Sequence, residues 1–178
     1  MTRRFASALA ASAGALLVLT ACAPGTAEIG EAQQIELEDE DSSTQAKVAI
    51  TITSVEQQTI DALAEFNLDE EDLARTPYFV NYELELLEGD IGADYSPFSV
   101  AFFATSRPTL AATDADGEPA IAMQLIGGLD ACAGVEDGTF GSLEIGESAG
   151  GCRVFLAESD KGLRTVSFGK LEWNAAGE

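Results

Sequence analysis

Beyond Lys47, apolar and polar positions alternate with a period of two. Val48, Ile50 and Ile52 fall on one side of the alternation, with Ala49, Thr51 and Thr53 on the other, which is the pattern of a strand with one buried face. The stretch "PYFVNYELELL" is a stronger case: Tyr78, Val80, Tyr82, Leu84 and Leu86 share one face, while Asn81, Glu83 and Glu85 share the other. Further strands are predicted at 98–103, 109–113, 120–126, 152–157, 163–168 and 171–173. Turn-forming residues separate them: Gly89 and Asp90, Asp116 and Gly117, Gly127 and Gly128, and residues 160–162. About seven or eight short strands punctuated in this way predict an all-β, antiparallel sandwich or barrel. Only "TIDALAEFNLDEEDLA" departs from the period of two. Its Ile60, Leu63 and Phe66 spacing predicts a short helix or turn in the connection between the first two strands.

The beginning of the chain follows a different pattern. Arg3 and Arg4 precede an uncharged run from Phe5 to Leu19, too short to span a bilayer, which takes about 20 apolar residues, and suited to an export signal. The run closes on Leu19, Thr20, Ala21 and Cys22, which resembles the lipobox of bacterial prolipoproteins. That resemblance implies cleavage after Ala21 and acylation of Cys22, so residues 1–21 are expected to be a signal peptide. A buried methylene contributes about 0.8 kcal/mol, so one acyl chain holds a protein marginally and two hold it stably. The expected location is the outer face of the cytoplasmic membrane, with the rest of the chain exposed to the cell wall or exterior.

Residues 22–45 contain Pro24, two glycines and the acids Glu36, Glu38, Asp39, Glu40 and Asp41, with Ile29, Ile35 and Leu37 as the large apolar residues. This composition predicts a disordered acidic linker that holds the domain tens of Å from the bilayer. Residues 46–178 are then the folded domain. Without the signal peptide and its two arginines, the net charge moves from −22 to −24. A surface so acidic disfavours nucleic acid, whose phosphates need basic contacts, and repels anionic headgroups.

Cys132 and Cys152, with nineteen residues between them, are the cysteines left for the folded domain. In an exported protein they are expected to form a structural disulfide that contributes about 3 kcal/mol through the unfolded state. Redox activity would need a close Cys-x-x-Cys pair, which this spacing does not provide.

Catalysis is not indicated. The chain has no histidine, which removes the usual general base, the Ser-His-Asp arrangement and the commonest zinc ligand. There is no G-x-S-x-G; "FGSLEIG" places Ser142 outside that spacing. Close acidic pairs such as Glu70, Glu71 and Asp72 are expected by chance among 31 acidic residues, and that cluster is expected to be a solvated face. Asp114, Asp116 and Gly117 imitate the middle of a calcium loop, but Ala112 and Met123 stand where its first and last ligands belong. "DADG" is better read as a hairpin turn. No cofactor and no metal are expected.

The segments "TPYFVNYELEL", "DADGEP", "DAC", "GESAGGCRVFLA" and "VSFGKLEW" together resemble actinobacterial lipoproteins that carry a telokin-like, immunoglobulin-type domain, related to a secreted mycobacterial antigen domain. The resemblance spans about residues 48–173 and implies an immunoglobulin-like sandwich whose Cys132–Cys152 bridge ties a long loop to a later strand. It implies no activity, and "LLEGDIGADYSP" departs from the asparagine-containing turn usual in that family.

Most aromatic residues fall on the apolar faces of their strands. Phe79 and Phe103 fall opposite those faces, so they are expected outward, under a loop or at an interface, as candidate contacts. The expected function is a non-catalytic binding module at the cell envelope, with an envelope protein or glycan as partner. The alternative is an accessory or solute-binding lipoprotein, which would need an enclosed pocket with convergent polar groups.

Overall fold

The computed structural model describes residues 25–38, 45–91, 109–123, 129–133, 139–158 and 160–176. Among them are nine strands: β1 (Ala27–Glu28), β2 (Ala32–Glu38), β3 (Gln45–Gln57), β4 (Thr76–Gly89), β5 (Leu110–Asp114), β6 (Ile121–Ala122), β7 (Ser148–Ala157), β8 (Leu163–Phe168) and β9 (Leu171–Asn174). They form two sheets, one in the order β1-β9-β8-β5 and the other β2-β3-β4-β7-β6. The fold is an immunoglobulin-like all-β sandwich. All pairings are antiparallel except that of β1 with β9, where Ala27 pairs with Trp173 and Glu28 with Asn174.

The period of two explains the main core. Val48, Ile50 and Ile52 of β3 and Tyr78, Val80, Tyr82, Leu84 and Leu86 of β4 are buried together with Phe155, Val166, Phe168 and Trp173. A bulge where Ile52 pairs with Tyr82 and Ser54 with Asn81 leaves Thr53 as the extra residue. The bulge resets the alternation, so Val55 packs against the same core as Ile52. Gly89 closes β4 with φ 81°, and a Cβ there would collide with the Gln45 carbonyl, so glycine alone fits. The helical segment is present as a 3-10 turn at Ile60–Leu63 and one turn of helix, α1 (Glu70–Leu73). Asp69 caps α1, its Oδ1 accepting the Asp72 N–H at 2.9 Å.

The expectation of a disordered linker over 22–45 is corrected for residues 25–38; residues 22–24 and 39–44 lie outside the described residues. Residues 25–38 belong to the sandwich, with β2 pairing along β3 from Ala32↔Thr51 to Glu38↔Gln45. Ile35 and Leu37 are buried in the main core while Glu36 is exposed, so the acidic composition belongs to an edge strand with one wet face. Such charge blunts an exposed edge against unwanted strand pairing. The Trp173 indole N–H donates to the Glu31 carbonyl at 2.8 Å, which fixes the turn between β1 and β2 against β9. The strand predicted at 98–103 and Cys22 lie outside the described residues.

Candidate functional site

A second apolar layer covers the outer face of the larger sheet. In β7, Phe155 and Ala157 point into the main core, whereas Cys152, Val154 and Leu156 point to the other side. There they meet Phe79, Leu63 of the 3-10 turn, and Leu129 and Cys132 of a later loop. Cys132 and Cys152 are disulfide-bonded with a Cα–Cα distance of 5.0 Å. The Cys152 N–H also donates to the Ala133 carbonyl at 2.9 Å, so backbone and side chain together staple the loop to the middle of β7.

This layer decides the position of Phe79. Its side chain does leave the main core, as the alternation requires, but it is only 2% exposed beneath the connection and the disulfide loop. The expectation that Phe79 offers a surface contact is therefore corrected: the covering is assembled from segments distant in sequence, which local periodicity does not register. Phe103 lies outside the described residues. Among the described residues, the exposed large apolar side chains are Leu73, Ile121 and Ile145, the last at 68%.

One end of the sandwich is closed by a clasp between turns. The Gly162 N–H donates to the Tyr78 phenol oxygen at 3.1 Å, and the Ala115 N–H donates to the Gly162 carbonyl at 3.0 Å. Asp114, 2% exposed, accepts the N–H groups of Asp116 and Glu118 on Oδ1 at 3.0 and 2.9 Å. These bonds, the Gly117 N–H to Asp114 carbonyl bond and the Thr113↔Pro119 bridge make "DADG" a hairpin turn. Lys161 pairs with Asp116 at 3.3 Å across the two exposed turns. Oδ1 of Asp114 is thus committed to backbone bonds within its own turn, and no group of three or more metal-ligating side chains occurs among the described residues.

Two cationic positions escaped sequence reasoning. Arg75 is held between Glu71 at 2.6 Å and Glu158 at 3.5 Å with only 10% of its side chain exposed, tying the connection before β4 to the end of β7. Arg153 alternates with the outward Cys152 and Val154, so it lies on the inner face beside Tyr82. Burial lowers the pKa of Arg153, and Tyr82 partly offsets this. Burial likewise pushes Tyr82 above the ordinary tyrosine range, partly countered by Arg153. A shallow open groove lies between Glu36, Leu37, Lys47 and Glu88, with Lys47 and Glu88 paired across it at 3.7 Å. Nothing about it converges on a ligand.

No family model matches the chain, and no curated protein matches it. Among solved structures it is similar to MPT63, a secreted protein from Mycobacterium tuberculosis, with a TM-score of 0.51 and 13% identity over 85% of this chain and 98% of that one. At this identity the likeness is one of fold: the same sandwich built from a different set of side chains.

Proposed function

We propose that the chain is a lipid-anchored, extracytoplasmic lipoprotein of the telokin-like, immunoglobulin-type class, whose sandwich works as a non-catalytic interaction module at the cell envelope. The observation that carries this is the junction at Leu19–Cys22, an apolar run that closes on a lipobox-type cysteine. The Cys132–Cys152 bridge supports the compartment, because such bonds persist where the environment is oxidising. The secreted protein of similar fold is compatible with the same address. Absence of histidine from the whole sequence supports binding over acid–base catalysis. The partner is an envelope protein or glycan, and nucleic acid is disfavoured by the charge.

Fractionation tests the reading. Wild type should sediment with membranes through a high-salt wash, and Cys22→Ala should appear in the soluble fraction. Mass spectrometry of the mature N-terminus should find diacylglycerol on Cys22. Quantitative retention of the Cys22→Ala protein on membranes would overturn the anchor.

A further inference from the structure

The correction to the linker changes where the domain can stand. β1 begins at Ala27, five residues after Cys22, and Thr26 is already bonded to Glu172 of β9 through Thr26 Oγ1 at 3.4 Å. A chain spans at most about 3.3–3.6 Å per residue, so the leash from Cys22 to Ala27 is no longer than about 18 Å. β4 alone, at 14 residues, is about 45 Å long at a strand's rise. The anchored end of such a body cannot leave the surface to which Cys22 is fixed.

Topology says which end that is. The Tyr78–Gly162 bond places the start of β4, the end of β7 and the start of β8 together at the clasp. β8 therefore runs away from the clasp, β9 returns toward it, and β1, parallel to β9, runs toward it as well. The chain before Ala27 must leave by the opposite end. At that end lie the close of β4, the turn before β7, and the turn joining β8 to β9. Leu86 fixes the second of these against β4, accepting the Gly146 N–H at 2.7 Å and donating to the Glu147 carbonyl at 3.0 Å. Ile145 stands in that turn, the most exposed of the large apolar side chains among the described residues at 68%. Lys170, also exposed, stands in the β8–β9 turn.

The levels agree. Gln33 Nε2 donates to the Glu172 carbonyl at 2.7 Å, and the registers Gln33↔Ile50, Ile50↔Leu84 and Leu84↔Ala149 carry that level across the larger sheet. Four residues lead from Thr26 back to Cys22, and four lead from Ala149 back to Ile145. The lipidated residue and the exposed isoleucine can therefore reach the same depth.

We propose that this end of the sandwich is a membrane-apposed face, with Ile145 at headgroup level and Lys170 toward the lipid phosphates, and that the clasp end points outward. The inference rests on acylation of Cys22. The acidic surface opposes close approach, but screening confines that repulsion to about 8 Å at physiological ionic strength, so it acts only at short range. Glu144 and Glu147, which flank Ile145, keep the contact shallow.

The test uses the acylated protein reconstituted into phosphatidylcholine–phosphatidylglycerol vesicles with nitroxide-labelled headgroups. Ile145→Cys and, at the clasp, Asp116→Cys each carry a fluorophore on the single free thiol, Cys22 being acylated and the other cysteines bonded. The label at position 145 should lose most of its emission and the label at 116 little. A flexible insert of about 20 residues between Pro24 and Gly25 should restore emission at 145 while the protein still floats with the vesicles. Equal quenching at both positions, or none at 145 in floating protein, overturns the apposition alone. A protein that does not float, and whose Cys22 takes the label, fails the anchor reading and the inference with it.

Discussion

The Tyr78 phenol oxygen accepts the Gly162 backbone N–H at 3.1 Å, joining the start of β4 in one sheet to the residue just before β8 in the other. Tyr78 itself is buried. Tyr78→Phe removes the acceptor and strands a partly buried donor, a loss of about 1–2 kcal/mol. Chemical denaturation should show the midpoint falling with the slope unchanged. An unchanged midpoint would mean that water replaces the phenol.

Alkaline pH should weaken the fold through the same strand. Burial raises the pKa of Tyr82, and of Tyr78 in the same direction, so both stay neutral in the native state where an unfolded tyrosine ionises. The sign follows from proton counts: above the unfolded value of about 10 the unfolded chain holds fewer protons than the native one, and stability falls as pH rises. These tyrosines should therefore add no pH dependence below about pH 9 and cost up to about 1.4 kcal/mol per pH unit each above 10. In Tyr82→Phe the decline should be shallower. Denaturation series from pH 8 to about 11.5 would read it.

The bridge between Cys132 and Cys152 spans a sequence separation of 20 and should contribute about 3 kcal/mol, mostly by restricting the unfolded chain. The Cys132→Ser, Cys152→Ser protein should melt lower by that amount yet keep the two-sheet core, because the bridge belongs to the outer layer. Loss of all β-sheet circular dichroism at 25 °C would show that the outer layer is needed for the fold itself.

Phe79 separates a packing role from a binding role. Truncation to alanine beneath Leu63, Leu129 and the disulfide should leave a cavity and cost about 3–5 kcal/mol. Phe79→Leu, which keeps most of the volume, should be far milder. If both variants were as stable as wild type, the side chain would not be held in that layer.

These residues also show what the sequence reveals and what it hides. β3 and β4 were legible because a sheet with one wet and one dry face imposes a period of two, and the DADG hairpin because turn chemistry is local. β7 was less so, since Val154–Ala157 are buried on both faces and read as a continuous apolar run. The Phe79 side chain leaves the main core as its period requires, but its cover comes from Leu63 and Cys132, some 16 and 53 positions away. The parallel β1 and β9 pairing rests on main-chain bonds over two residues, which leave no side-chain signature. Arg153 on the inner face looks, in sequence, like any charge within a strand.

The acidic N-terminal segment was the most misleading, and it supplies the sharpest test of the domain boundary. Ile35 and Leu37 are 8% and 7% exposed, which makes β2 a wall of the main core. Glu31 accepts the indole N–H of Trp173, itself fully buried. A protein begun at Ala46 would therefore uncover the β3 edge, expose the apolar surface that Ile35 and Leu37 cover, and orphan the indole donor. Burying two such side chains is worth about 1.5–3 kcal/mol each, comparable to half the stability of an ordinary domain. The protein begun at Gly25 should unfold in one cooperative transition, while the one begun at Ala46 should melt far lower, bind a hydrophobic dye and associate through its uncovered edge. A milder version is Ile35→Asp, which keeps the backbone pairing but places a charge in the core. If the protein begun at Ala46 proved as stable and as monomeric as the longer one, residues 25–38 would be a tether after all, and the short leash to the membrane would lengthen accordingly.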